Sequence, residues 1–320
     1  PAPIHNPDGS ESLWCYSRPV ELYGELRDRL GHFPLQHFWG PLADVRSSAW
    51  IADSAVLAAE RFRPSFFYLY LPHLDYAAQK VGPQSAAAQR ACQALDAVLG
   101  RLAAGLDEAY RGRRLVWLAV SEYAIVPVRH VVFPNRELRR AGWLKIRTHA
   151  DLEQLDLEDS RAWALVDHQL AHLFVDRPAD IGPVADLFRQ REGIDQVLVE
   201  EQRGRYGLDH SRSGDVVLVS SADSWFAYYW WLEDARAPSF ARTVDIHRKP
   251  GYDPVELHWD PATHTIPLDA TLVRGSHGAP AVTPAQQGVL LSSHKGMLGE
   301  RSRVDTEVCE IVLRQFGIRV

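Results

Sequence analysis

With 320 residues, of which 46% are hydrophobic and 24% charged, the chain can fill one large domain or two ordinary ones, and its composition excludes a disordered or fibrous protein. A net charge of −6 with both signs interspersed leaves no basic stripe for nucleic acid, and no apolar run approaches the roughly 18 residues of a membrane span. Cys15, Cys92 and Cys309 lie far apart with no CxxC spacing, which implies neither a disulfide framework nor a cysteine zinc site and points to reduced thiols in a cytoplasmic protein.

Residues 1–18 are rich in Pro and polar side chains and read as an irregular arm that opens on Pro1 with no signal peptide, as in a processed or incomplete chain. In residues 20–31, Leu22, Leu26 and Leu30 recur at helical spacing and the run ends at Gly31. Residues 47–62 form a second predicted helix with Ser47 or Ser48 as N-cap. The apolar run "SFFYLYL" (65–71) predicts a buried strand that ends on Pro72, His73 and Asp75. A long helix follows from Ser85, with Leu95, Val98, Leu102 and Leu106 on one face. "RLVWLAVSEY" (114–123) is a second continuous apolar strand, and residues 135–144 are a short amphipathic helix. Residues 160–200 read as a smaller βαβ unit and 214–221 as one more strand. The aromatic stretch 223–241 reads as a lid or pocket wall, 245–257 as a loop, and 303–320 as a last amphipathic helix with Val308, Ile311, Val312 and Phe316 inward.

Unbroken apolar strands alternating with helices predict an α/β fold, a mostly parallel sheet with helices on both faces and a small α/β insertion. The boundaries expected are 1–159 for the core, 160–213 for the insertion and 214–320 for the return to the core and the C-terminal helix. Ligands bind at the carboxyl ends of strands in such sheets, and Asp75 and Glu122 each stand just past such an end. With Asp167, His168, His172, Asp245, His247 and His277 they supply the carboxylate and imidazole groups that suit zinc or manganese. No HExxH pair occurs, so a site would be assembled from distant segments. Each of these residues has a structural alternative. Asp75 can cap a helix, Glu122 can pair on the surface, Asp245 and His247 can sit in a loop tied by Arg248 and Lys249, and His168 and His172 can be hydrogen-bonded inside a buried turn.

The segments "YLPHLDYAAQKVGP", "VSEYAI" and "VRGSHG" resemble the type I phosphodiesterase/nucleotide pyrophosphatase branch of the alkaline phosphatase superfamily, over about Ala49 to Pro280. The resemblance implies an alkaline-phosphatase-like sheet and hydrolysis of phosphate esters, phosphodiesters or pyrophosphates with divalent ions, zinc first and manganese second. The family's Asp-x-x-x-His falls on Asp75 and Gln79, its Ser-Asp-His on Ser121, Glu122 and Tyr123, and its late His on His277. Asp75 and His277 match, Glu122 keeps a carboxylate on a longer arm, and Gln79 and Tyr123 replace imidazoles. Asp245 and His247 are this reading's replacement ligands. Gln79, Tyr123, His73, His168 and His172 are placed around the ions or the substrate. Arg248 and Lys249 are weighed as phosphate contacts, and the Trp225–Trp231 run as a stacking pocket.

The family carries its nucleophile and another metal-binding Asp well upstream of such a segment, whereas the residues before Phe66 read as arm and helices. This leaves the nucleophile unknown and implies an N-terminal segment that is missing or supplied by a separate chain. The function expected is a metal-dependent phosphoester hydrolase of the phosphodiesterase type acting on a small phosphorylated substrate, with no nucleic-acid or membrane partner. The alternatives are a catalytically impaired pseudoenzyme or binding subunit of the same fold, and a phosphonate hydrolase or phosphomutase of the same superfamily.

Overall fold

A computed structural model describes residues 4–319, so the first three residues of the expected arm and the last residue of the expected tail helix lie outside it. Strands β1 (Ile4–His5) and β2 (Glu11–Ser12) pair in the arm. Helices α1 (Leu22–Leu30) and α2 (Val45–Phe62) follow. The Asp44 side chain accepts from the Arg46 N–H to start α2, a turn earlier than the Ser caps expected from sequence. Helix α3 (Asp75–Val81) is followed by α4 (Ala86–Ala109), which Ser85 caps by accepting from the Ala88 N–H. Val98, Leu102 and Leu106 of α4 pack on Ala52, Ala55 and Ala59 of α2. At Gly105 a Cβ would stand 2.6 Å from Val56 Cγ2, so a residue without one lets the two helices meet closely.

Strands β3 (Leu118–Val120), β4 (Val126–Pro127) and β5 (His130–Val132) lead to α5 (Pro134–Arg140) and the hairpin β6 (Lys145–His149) and β7 (Leu152–Asp156). Strands β8 (Ala162–Asp167) and β9 (Leu170–Val175) precede α6 (Ile181–Asp186), β10 (Ile194–Val199) and β11 (Val216–Ser220). These four strands make one sheet in the order β10-β11-β9-β8, with every ladder antiparallel. Strand β12 (Ser224–Phe226) runs parallel to β5, β13 (Gly275–Ser276) pairs with β4, and β14 (Leu290–Ser292) pairs with β3. Helix α7 (Glu307–Gln315) closes the described chain with Ile311 buried.

The α/β class holds, while several elements differ from the sequence reading. Residues 65–71 form no ladder among the described residues. Phe67 and Leu69 pack on the α2–α4 pair, but Phe66, Tyr68 and Tyr70 are 53%, 82% and 48% exposed. An apolar run becomes a strand only where another strand pairs with it, and among the described residues none does here. The expected βαβ unit opens instead as the hairpin β8–β9, because two residues between Asp167 and Leu170 are too few for a parallel crossover. Consistent with this, the parallel ladder among the described residues is β5–β12. The aromatic stretch is core rather than lid, since every residue from Trp225 to Trp231 is at most 1% exposed.

Candidate functional site

Four segments distant in sequence meet beside α3. Arg274 donates its N–H to the Gln79 carbonyl at 2.9 Å, and at Gly275 a Cβ would stand 2.3 Å from the Ala78 carbonyl oxygen. Strand β13 therefore lies flush against α3 and delivers His277 toward Asp75. From the loop after β3, Tyr123 donates its hydroxyl to Asp75 Oδ2 at 2.8 Å. The Tyr123 ring stacks on the His277 ring at 3.6 Å with 4° between planes. The β8–β9 turn adds His168, whose ring lies 3.9 Å from that of His277 and 4.8 Å from that of Tyr252. His168 Nδ1 is 3.2 Å from Ser276 Oγ.

Gln169 holds this turn in place. Its N–H donates to the His277 carbonyl at 2.9 Å, and its side-chain amide donates to the Ala222 and Ser224 carbonyls at 3.1 and 3.0 Å. Tyr252 comes from the "HRKPGYD" loop, which docks on β8 through Val166 N–H to the Pro250 carbonyl and Tyr252 N–H to the Val166 carbonyl. A Cβ at Gly251, at φ +121°, would stand 1.7 Å from the Val166 carbonyl oxygen, so the dock requires glycine. The Tyr252 hydroxyl donates to Gln79 Oε1 at 3.3 Å.

Burial governs the electrostatics. Desolvation raises the Asp75 pKa above the usual carboxylate value; the Tyr123 hydroxyl works against this and the Glu122 carboxylate adds to it. Desolvation first, then the Asp75 charge and its hydrogen bond, push the Tyr123 hydroxyl upward, so it stays a protonated donor and not a phenolate ligand. Burial lowers His277 to about 4 and drives His168 well down, with His277 assisting. Both imidazoles are neutral at physiological pH.

Asp75, Tyr123, His277 and His168 are thus brought together, Gln79 joins through Tyr252, and Glu122 stands exposed near Asp75. His73 precedes Asp75 and keeps its Nδ1 buried without a hydrogen bond. Asp245 is committed to its own loop, accepting from His247 N–H, Arg248 N–H and Arg248 Nε. Neither Asp245 nor His247 forms a hydrogen bond, ion pair or ring contact with the Asp75 group among the described residues. His172 Nδ1 accepts from the Gly214 N–H at 3.1 Å, a structural bond of β9. Lys249 is no phosphate contact either: it is buried and bonds Asp253 Oδ2 at 2.9 Å and Glu256 Oε1 at 2.6 Å. The sequence reading passed over Tyr252 and Gln169; the glycine inside "KPGYD" and the two-residue turn were the available signals.

The residues at the family-like positions do not fit a pair of divalent ions. A phenol engages Asp75, Gln79 is engaged by a second phenol, and among the described residues no three His, Cys, Asp or Glu side chains gather closely enough to hold an ion. The chain matches the model of the type I phosphodiesterase / nucleotide pyrophosphatase family over residues 3–253. Among solved structures, it is similar to a phosphonoacetate hydrolase from Sinorhizobium meliloti 1021 in complex with phosphonoformate, at 18% identity and TM-score 0.48, covering 78% of this chain and 50% of that one. It is also similar to murine ectonucleotide pyrophosphatase / phosphodiesterase 5, at 14% identity and TM-score 0.47, covering 76% of this chain and 52% of that one. The chain spans about half the length of these solved relatives. No curated relative matches it.

Proposed function

The chain belongs to the type I phosphodiesterase / nucleotide pyrophosphatase family, and from that premise we propose that it acts as a hydrolase at phosphodiester or pyrophosphate bonds of a small phosphorylated substrate. The observation that supports this is the contact chain from Asp75 through Tyr123 to His277, which gathers the acid and the late imidazole at one place beside α3. A neutral His277 can hydrogen-bond a phosphoryl oxygen or take a proton from an attacking hydroxyl. Asp75 fixes the Tyr123 hydroxyl, and the Tyr123 ring fixes the plane of the imidazole. The family is in general divalent-metal dependent. Because Gln79 and Tyr123 occupy imidazole positions, zinc is not assigned to the family's usual pair of places.

A second reading keeps the fold and its ligand but not turnover. It is favoured by the phenol on Asp75, since an acid already satisfied by a buried hydroxyl makes a poor metal ligand. Hydrolysis of bis(p-nitrophenyl) phosphate separates the two readings. If the chain is an enzyme, Asp75→Ala and His277→Ala lower kcat/KM by about 100-fold or more. A folded wild-type chain without turnover supports the binding reading. A wild-type rate in both variants removes this site from the chemistry.

A further inference from the structure

Helix α3 carries Asp75 at its start, and past its other end the chain forms a cleft of about 530 Å³. The lining is the 81–85 connection between α3 and α4, residues 127–129 at the end of β4, and Arg274 just before β13. Two of these residues, Arg129 and Arg274, are cations and none is an acid, in a chain whose net charge is −6. Neither guanidinium makes a hydrogen bond or an ion pair among the described residues. The main chain sets the two arginines side by side, because Val128 donates its N–H to the Arg274 carbonyl at 3.1 Å. At Gly82, at φ +95°, a Cβ would stand 3.8 Å from Arg274 Cβ, so the 81–85 connection lies against the base of that side chain. Burial first, then Lys80, lowers the His258 pKa, and Arg274 adds to this against Asp269, which brings a third cation into the same neighbourhood. The acids at hand are engaged: Asp269 accepts from the Thr271 N–H and hydroxyl, and Asp223, whose carbonyl takes the Arg129 N–H, accepts from the Ser224 hydroxyl at 3.4 Å.

We propose that this cleft binds the phosphate end of a small phosphorylated molecule, at a place separate from the Asp75–His277 group. A free guanidinium fork matches two oxygens of a phosphate, and Arg129 and Arg274 supply two such forks. The Ser85 hydroxyl accepts the Ala88 N–H at 3.1 Å and keeps its own proton to donate outward. The first turn of α4, a 24-residue helix, begins at the same connection and adds its positive end. Val81, Pro83, Pro127 and Val128 give the cleft apolar walls, and its volume suits a small organic molecule rather than a bare ion. Arg274 also donates its N–H to the Gln79 carbonyl, so a ligand here grips both elements that lead to Asp75 and His277. The site needs neither a metal nor turnover of a substrate.

Titration calorimetry with inorganic phosphate, at an ionic strength held constant with sodium chloride, tests this. The wild-type chain is expected to bind phosphate in preference to chloride. Arg129→Gln and Arg274→Gln each alter an exposed side chain that bonds nothing, so both should fold; thermal melts check that they do. Each is expected to weaken phosphate binding by at least about tenfold, the loss of a charge-assisted hydrogen bond. His277→Gln, beyond the far end of β13, should bind phosphate as wild type. A wild-type chain that binds no phosphate overturns the proposal. So does wild-type affinity in either arginine variant. Binding lost in His277→Gln but kept in both arginine variants also overturns it, because the phosphate then sits at the Asp75–His277 group. None of these results bears on hydrolysis, which the nitrophenyl assay reports separately.

Discussion

Two histidines, four residues apart, do different work because of what their nitrogens meet. His168 turns one nitrogen toward a carboxylate it does not bond, whereas His172 uses its Nδ1 lone pair to accept the Gly214 N–H. Gly214 itself is pressed against β9, where a Cβ would stand 2.7 Å from the Leu173 N, so this contact has no room to rearrange. Burial first, then Arg203, hold the His172 pKa below the ordinary imidazole value. The unfolded ring titrates near 6.5 and the folded ring below that, so between those points the unfolded chain binds the extra proton. Stability is therefore complete above the unfolded pKa and falls as pH drops through the window. Protonation also removes the acceptor, so the Gly214 N–H loses its partner as the pH falls. Urea midpoints at about pH 7.5 and about pH 5 should differ for the wild type and differ less for His172→Gln. An identical difference in both would show that another group carries the acid sensitivity.

Elements that state their own ends were legible in the sequence; elements completed by a neighbour were not. The long helix α4 was readable from Ser85 and its four-residue apolar spacing, and that helix is as expected. Helix α3 was missed because its seven residues, Asp75–Val81, show no apolar stripe and end at a Gly-Pro that reads as a turn. The run 65–71 has strand composition but no partner among the described residues, a tertiary fact that no local pattern records. The stretch 245–257 was read as a loop, but from Pro254 it enters a 3-10 helix (Pro254–His258) that Asp253 caps, and its task appears only in three dimensions. Lys249, bonded to Asp253 and Glu256, braces it, and Gly251 seats it on β8. Gly251→Ala forces a Cβ into the Val166 carbonyl and breaks both main-chain bonds of that dock. The expected cost is on the order of 3 kcal/mol in a thermal or urea melt. A loss below about 0.5 kcal/mol, the range of an ordinary surface change, would mean that the loop does not need this seat.

At the scale of the whole molecule, the α/β class followed from composition and motif, while Asp75 and His277 are linked, among the described residues, only through Tyr123, which the sequence offered as a replaced imidazole. The stack of Tyr123, His277, His168 and Tyr252 did not follow from either, because it depends on four loops packing at once. The same packing leaves a face bare. Phe67, Leu69, Leu115 and Trp117 all turn toward α2 and α4, so their neighbours Phe66, Tyr68, Tyr70, Val116 and Val120 point the other way and are exposed. Leu290, paired with Val120 across β14 and β3, lies on that side as well. Soluble monomers seldom expose a contiguous apolar patch of more than a few hundred Å². The main chain of 65–71, in no ladder among the described residues, adds donors and acceptors that another extended segment can bond. The isolated chain is therefore expected to bind an apolar dye such as ANS and to self-associate as its concentration rises, which sedimentation velocity measures. Tyr68→Lys places a charge on the face at a position 82% exposed, so the melt should shift by no more than about 0.5 kcal/mol. Dye binding and self-association should both fall in that variant. A wild-type chain that stays monomeric and dye-free across the concentration range would show that this face is covered in solution by residues of the chain itself.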